Sequence, residues 1–171
     1  MANKIKIELL TEKIAAHPAE ARSYKLRAGY YYEEDLFELA VADHHQFVKL
    51  AENGGEYDED YWENMADAFF RLEQYEEGVK CCNVSIELEN ENYKVFIHLG
   101  NNLVGLKKDE EALKAFQQAI DAADDNDDDD EKAAAMFAKS MCLKGMPGRE
   151  EEAKALYAEL KVLAPAFPLA Y

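Results

Sequence analysis

Three groups of residues in this 171-residue chain could do chemistry: His44 with His45, the cysteines Cys81, Cys82 and Cys142, and the acidic run 124–131. Imidazole and thiolate suit a transition metal or an activated nucleophile, and dense carboxylates suit calcium. Spacing argues against each. Neighbours on an α-helix point about 100° apart, so neither adjacent pair converges on one ion. His44 is expected as a hydrogen-bonded core histidine, Cys82 as a small core hydrophobe and Cys81 as the more exposed, more reactive thiol. A calcium-binding helix-loop-helix needs glycine at the sixth loop position, where Asp129 or Asp130 stands. The acidic run is therefore read as a solvated loop. The chain has no glycine-rich phosphate loop, no Gly-x-Ser-x-Gly elbow and no His-Glu-x-x-His pair. The expectation is a protein that is not an enzyme, with no metal and no cofactor.

The elements that carry these residues read as helices throughout. Ala, Leu, Glu and Lys are abundant, 4 Pro and 8 Gly punctuate the chain, and apolar residues recur three and four apart. Segments 110–123 (EEALKAFQQAIDAA) and 150–164 (EEEAKALYAELKVLA) show the pattern, and nothing alternates with period two. Ten Tyr, eight Phe and one Trp argue for a packed core. The net charge of -17, from 36 acidic and 19 basic residues, repels phosphate backbones and anionic lipid. Neither nucleic acid nor a membrane is expected as a partner. No stretch approaches the ~20 apolar residues of a membrane span, and the N-terminal residues lack the continuous apolar run of a signal peptide. Cysteines in neither a disulfide framework nor a ligand spacing fit a reduced, cytoplasmic setting.

The chain also repeats itself. Segment 60–90 superposes on 94–124 at a constant shift of 34: Trp62 on Phe96, Met65 on Leu99, Ala66 on Gly100, Phe69 on Leu103, Gly78 on Ala112, Cys82 on Phe116 and Ser85 on Ala119. An earlier copy fits at a shift of 38, with Tyr24, Ala28, Tyr31, Ala40, His44 and Phe47 in the same roles. A fourth begins at 40 (Met136, Ser140, Leu143) and becomes 41 (Ala153, Tyr157, Leu160). The extra residues fall at Gly54 to Tyr57, in the acidic run and at Met146, Pro147 and Gly148. All are read as connections between helices, where insertion costs little.

This pattern resembles the tetratricopeptide repeat (TPR), a helix-turn-helix unit of ~34 residues. The resemblance covers about 21–165 and implies an all-α fold, a right-handed α-α superhelix or solenoid of about four repeats. The expected organisation is a single domain: a capping helix within 1–20, repeats over 21–58, 59–92, 93–130 with the acidic loop, and 131–165, and a tail at 166–171. Small residues (Ala28, Ala66, Gly100 and Ser140 on first helices, Ala40, Gly78, Ala112 and Ala153 on second helices) let paired helices approach. Tyr31, Trp62, Phe69, Phe96 and Phe116 fill the space between.

In the family resembled, the first helix of each repeat lines a concave groove that holds a peptide or partner helix. Carried over by position, the groove takes Arg22, Lys25, Gly29, Tyr32 and Glu33 from the first repeat. The second supplies Asp60, Glu63, Asn64, Asp67, Phe70 and Arg71, and the third Lys94, Ile97, His98, Asn101 and Val104. Among these, Lys25, Arg71 and Lys94 are expected to pair charges, Tyr32 and Phe70 to give apolar contact, and Asn64 and Asn101 to bond the partner backbone. Asp67 and His98 complete the expected set. The chaperone-binding branch of the family grips a partner's C-terminal acid with a two-carboxylate clamp. Its five positions fall on Lys25, Gly29, Asn64, Lys94 and His98; Gly29 lacks the amide and His98 replaces an arginine. The resemblance thus implies a protein-protein interaction scaffold for a protein or peptide partner, co-chaperone-like or chaperone-like among its forms. The competing reading is a structural or assembly protein acting through outer faces or self-association, for which the apolar tail residues Phe167, Leu169 and Tyr171 are candidates. The oligomeric state is open between monomer and assembly.

Overall fold

The computed structural model describes residues 2–51, 59–88, 92–125 and 129–167. The expected Gly54 to Tyr57 connection, the centre of the acidic run and tail residues 168–171 lie outside them. The described residues form nine helices and no strand: α1 Ala2–Ala16, α2 Ala21–Glu33, α3 Phe37–Leu50, α4 Glu59–Arg71, α5 Tyr75–Glu87, α6 Tyr93–Gly105, α7 Asp109–Asp125, α8 Asp129–Gly145 and α9 Glu150–Leu163. They fall into two compact units, Met1–Leu88 and Glu89–Tyr171.

In the first unit α1 packs on α2, α2 pairs with α3, α4 pairs with α5, and α3 packs on α4. Ala28, Ala40, Ala66 and Met65 are fully buried, as are Phe69 and Cys82. Phe69 removes a whole phenyl group from water, a gain of about 1.5–3 kcal/mol for a side chain of this size. Ala28, Ala40 and Ala66 carry only a methyl group, which lets the paired backbones approach closely. Arg27 of α2 makes a two-pronged bond to Asp43 of α3, Nε to Oδ2 at 2.6 Å and Nη2 to Oδ1 at 2.8 Å. That pair holds the guanidinium pKa above its usual value, chiefly through the bonds to Asp43.

In the second unit α6 pairs with α7, α7 packs on α8, and α8 pairs with α9. Ala119, Ala133, Ala135 and Leu160 form its core, with Phe96, Phe137 and Leu156 packed around them. The side chain of Asn92 caps α6 by accepting from the Lys94 N–H at 3.0 Å, a contact of about 1 kcal/mol. Asp129, Asp130 and Glu131 fill the first turn of α8, where carboxylates meet the positive end of the helix dipole. The acidic run therefore ends as a helix start, and Lys132 of that helix returns to Asp124 at 2.5 Å.

Three of the helical hairpins share one turn, and the connection from α8 to α9 has a left-handed residue at the matching place. Asp35, Glu73 and Lys107 have φ of 57°, 58° and 59°, and Gly148 has 79°. After the first three, Leu36, Gln74 and Lys108 donate N–H to the carbonyls of Tyr31, Phe69 and Leu103 at 2.8, 2.9 and 2.9 Å. This six-to-one bond with a left-handed residue inside it ends a helix and turns the chain back. The positions 35, 73, 107 and 148 are separated by 38, 34 and 41 residues, the same shifts that superpose the side chains.

Candidate functional site

The chemistry-bearing residues are placed as follows. His44 is 5% exposed. Its Nδ1 lies 2.9 Å from the Tyr61 hydroxyl and its Nε2 3.8 Å from Cys81 Sγ. The rings of Phe47, Tyr61, Trp62 and Phe69 surround it at 5.2–6.4 Å. Burial, reinforced by the neighbouring His45, pushes its pKa down to about 4, so the imidazole is neutral at pH 7. Cys81 corrects the expectation of a reactive thiol: it is 3% exposed and burial holds its pKa well above the usual thiol range. A neutral imidazole beside a protonated, buried thiol is packing, since the nucleophile is the thiolate. Among the described residues no group of three or more His, Cys, Asp or Glu side chains could hold a metal ion, and no helix is long and apolar enough to cross a membrane.

In the first unit the faces of α2 and α4 meet along a groove of about 220 Å³, lined in part by Lys25, Gly29, Glu33, Asp60, Tyr61 and Asn64. The structure thus brings Lys25 and Asn64 together. Lys25 is 7% exposed, with its ammonium 5.5 Å from the Tyr61 ring centroid, so it forms part of the wall. A side chain at Gly29 would enter open space. Tyr32, Asp67 and Arg71 form a second cluster: Tyr32 donates to Asp67 Oδ2 at 3.1 Å, Arg71 Nε donates to Asp67 Oδ1 at 3.3 Å, and the guanidinium lies over Phe37 at 5.8 Å. Burial and the Asp67 charge hold the Tyr32 phenol above its usual pKa. Phe70 faces Tyr75 at 5.9 Å. Glu63 and Asp67 are each 7% exposed, so both contribute more to the unit's interior than to an open face.

In the second unit Lys94, His98 and Asn101 follow one another along one stripe of α6. Lys94 is exposed, while His98 and Asn101 are half-buried. The His98 carbonyl accepts from Asn102 Nδ2 at 2.8 Å. Asn101 alone of the three lines a groove of about 460 Å³ between α6 and α8, with Ile97, Val104, Phe137, Met141 and Phe167 among its other walls. Sequence reasoning placed no groove residue on the fourth repeat. The signal was available: the shift of 40 carries Lys94, Ile97, His98 and Asn101 onto Ala134, Phe137, Ala138 and Met141, all of which line this groove.

No protein-family model matches the sequence, and no curated protein matches it. Solved structures do match in fold. MamA from Desulfovibrio magneticus superposes with a TM-score of 0.78 at 13% identity, over 96% of this chain and 86% of that one. YrrB, described as a TPR protein with an unusual peptide-binding site, gives 0.66 at 22% identity, over 93% and 76%. The TPR-like repeats of a putative kinesin light chain from Podospora anserina give 0.72 at 15% identity, over 92% and 84%.

Proposed function

We propose, from the premise that this chain has the tetratricopeptide-repeat fold, that it is a non-enzymatic scaffold for a segment of a partner protein. The working surfaces are the faces of first helices, α2 with α4 in one unit and α6 with α8 in the other. The observation that carries this reading is the groove between α6 and α8. It is open, its walls are apolar, and an amide at Asn101 is available to fix a backbone, the composition expected of a recognition site. Lys94 and Arg71 supply exposed positive charge, Asn64 and Asn101 hydrogen bonding, and Phe70 apolar contact. Tyr32 and Asp67 act one step back, holding each other and Arg71 in place. Capture of a partner's C-terminal acid in a co-chaperone-like way is the narrower form of the same reading, with Lys94 as the exposed cation and His98 as a pH-dependent one. A cytoplasmic site of action accords with three unpaired thiols, all buried.

A photo-crosslinking residue placed singly at Asn64, Asn101 or Gln118 tests the reading in native lysate. Capture of a common partner from Asn64 or Asn101, and not from exposed Gln118 on α7, is the expected result. Capture from Gln118 alone, or only of the chain itself, moves the function to outer faces and assembly.

A further inference from the structure

Helix α1 is apolar on two opposite sides. Ile14 is buried and Ile7 and Leu10 are half-buried in a helix that packs on α2, while Ile5 and Leu9, one turn apart on the other side, are 57% and 60% exposed. Glu8 and Glu12 are exposed beside them, so positions 5, 8, 9 and 12 form one helical stripe, half apolar and half acidic. Helix α9 carries a stripe of the same spacing: Lys154, Tyr157, Ala158 and Lys161, all exposed but the half-buried Tyr157. The shift of 41 sets Lys154, Tyr157 and Lys161 on Leu113, Phe116 and Ile120 of α7, which are 7%, 1% and 7% exposed. Helix α7 lies between α6 and α8, whereas α9 packs on α8. A cleft of about 360 Å³ opens beside the α9 stripe, with Ser140, Ala153, Lys154 and Tyr157 among its walls. Lys161 Nζ lies 4.8 Å over the Tyr157 ring. Lys154 pairs with Glu151 between side chains 71% and 86% exposed, a contact that contributes little and gives way to a better-shielded one.

We propose that the α9 stripe receives α1 of a second copy of this chain. Run antiparallel, the two stripes set Ile5 and Leu9 against Tyr157, Ala158 and the cleft, with Glu8 beside Lys161 and Glu12 beside Lys154. The occupant follows from the charges on the stripes themselves: one is acidic and the other basic, at one spacing. Two α1 stripes would oppose carboxylates and two α9 stripes would oppose lysines, so neither pairs with its own kind. The contact is therefore heterologous. Each copy keeps one stripe of each kind, and association propagates beyond a dimer. This inference goes beyond the groove reading and does not depend on it.

Sedimentation equilibrium of the full chain tests this. The weight-average mass should rise with concentration over about 10–300 μM, the weak range expected where one helix meets another over a small area. Ile5→Asp with Leu9→Asp, and separately Lys154→Glu with Lys161→Glu, should each weaken association by about tenfold or more. Helical circular dichroism should be unchanged, because all four positions are exposed. Mixed one to one, the two double variants should form dimers and nothing larger, since only the α1 stripe of the second and the α9 stripe of the first are intact. A chain carrying Glu8→Lys, Glu12→Lys, Lys154→Glu and Lys161→Glu together should associate again, its charges exchanged. A wild-type mass that stays at one chain overturns the proposal. So does association that survives either double variant, a mixture that stays monomeric or grows past the dimer, or failure of the charge-exchanged chain to associate.

Discussion

A Cβ on Gly100 would stand 2.4 Å from the ring of Phe116, which is 1% exposed and has no room to retreat. Alanine in a helix normally gains about 1 kcal/mol over glycine, but overpacking a core costs about 1–3 kcal/mol. Gly100→Ala is therefore expected to destabilise by about 1–2 kcal/mol in urea unfolding, and Phe116→Leu in the same chain should recover part of that loss. The repeat alignment explains the exchange: Ala66 and Cys82 stand where Gly100 and Phe116 do, so a larger second-helix residue is matched by a smaller first-helix one. That small residues would sit at these positions was legible in the sequence; the size trade within each pair was not, because it is a property of two helices in contact. His44, equivalent to Cys82, gives a second test. Its pKa falls from 6.5 to about 4 on folding, so the unfolded chain binds the proton first. The stabilisation is full above pH 6.5 and is lost as pH falls toward 4. Between pH 7.5 and 5.0 the loss should be about 2 kcal/mol, and His44→Phe should flatten that part of the urea-stability profile. An unchanged profile in the variant would mean the imidazole takes up its proton in the fold.

Hairpin turns set the pairing at the next scale. Three of the four left-handed positions carry Asp35, Glu73 and Lys107, where a side chain costs about 1–2 kcal/mol. Glycine removes that cost but adds unfolded-state freedom, so Glu73→Gly should stabilise by about 0.5–1 kcal/mol, while Gly148→Ala should destabilise by about 1 kcal/mol. Paired thermal melts with opposite shifts would establish the left-handed position as the feature these connections have in common; two shifts of the same sign would not. These turns were invisible as motifs because no glycine marks three of them, yet their spacing was already present in the side-chain shifts. The Arg27–Asp43 pair is the reverse case. Nothing in the pattern distinguishes Arg27 from a solvated arginine, since its meaning depends on where α3 lies. Both side chains are largely shielded, 14% and 8% exposed, so Asp43→Ala leaves a poorly solvated cation and should cost roughly 3 kcal/mol, measured as a shift in the urea midpoint with unchanged slope.

Across the whole molecule, acidic charge is in excess everywhere. Residues 1–88 carry 19 acidic and nine basic side chains, and 89–171 carry 17 and ten, so each unit is acidic in its own right. Many of the ion pairs are between exposed neighbours one turn apart, such as Lys80 with Glu77 and Lys154 with Glu151, and pairs of this kind contribute little. The excess carboxylates then repel one another across the surface of the folded chain and less so in the expanded unfolded one. Screening acts on that long-range repulsion more than on close contacts, because the Debye length falls from about 30 Å at 0.01 M salt to about 3 Å at 1 M. Stability should therefore rise with sodium chloride, by about 1 kcal/mol or roughly 2–4 °C in Tm between 0.01 and 0.5 M, whereas a protein held by attractive ion pairs would lose stability over the same range. A Tm that falls with salt would show that the local pairs outweigh the repulsion.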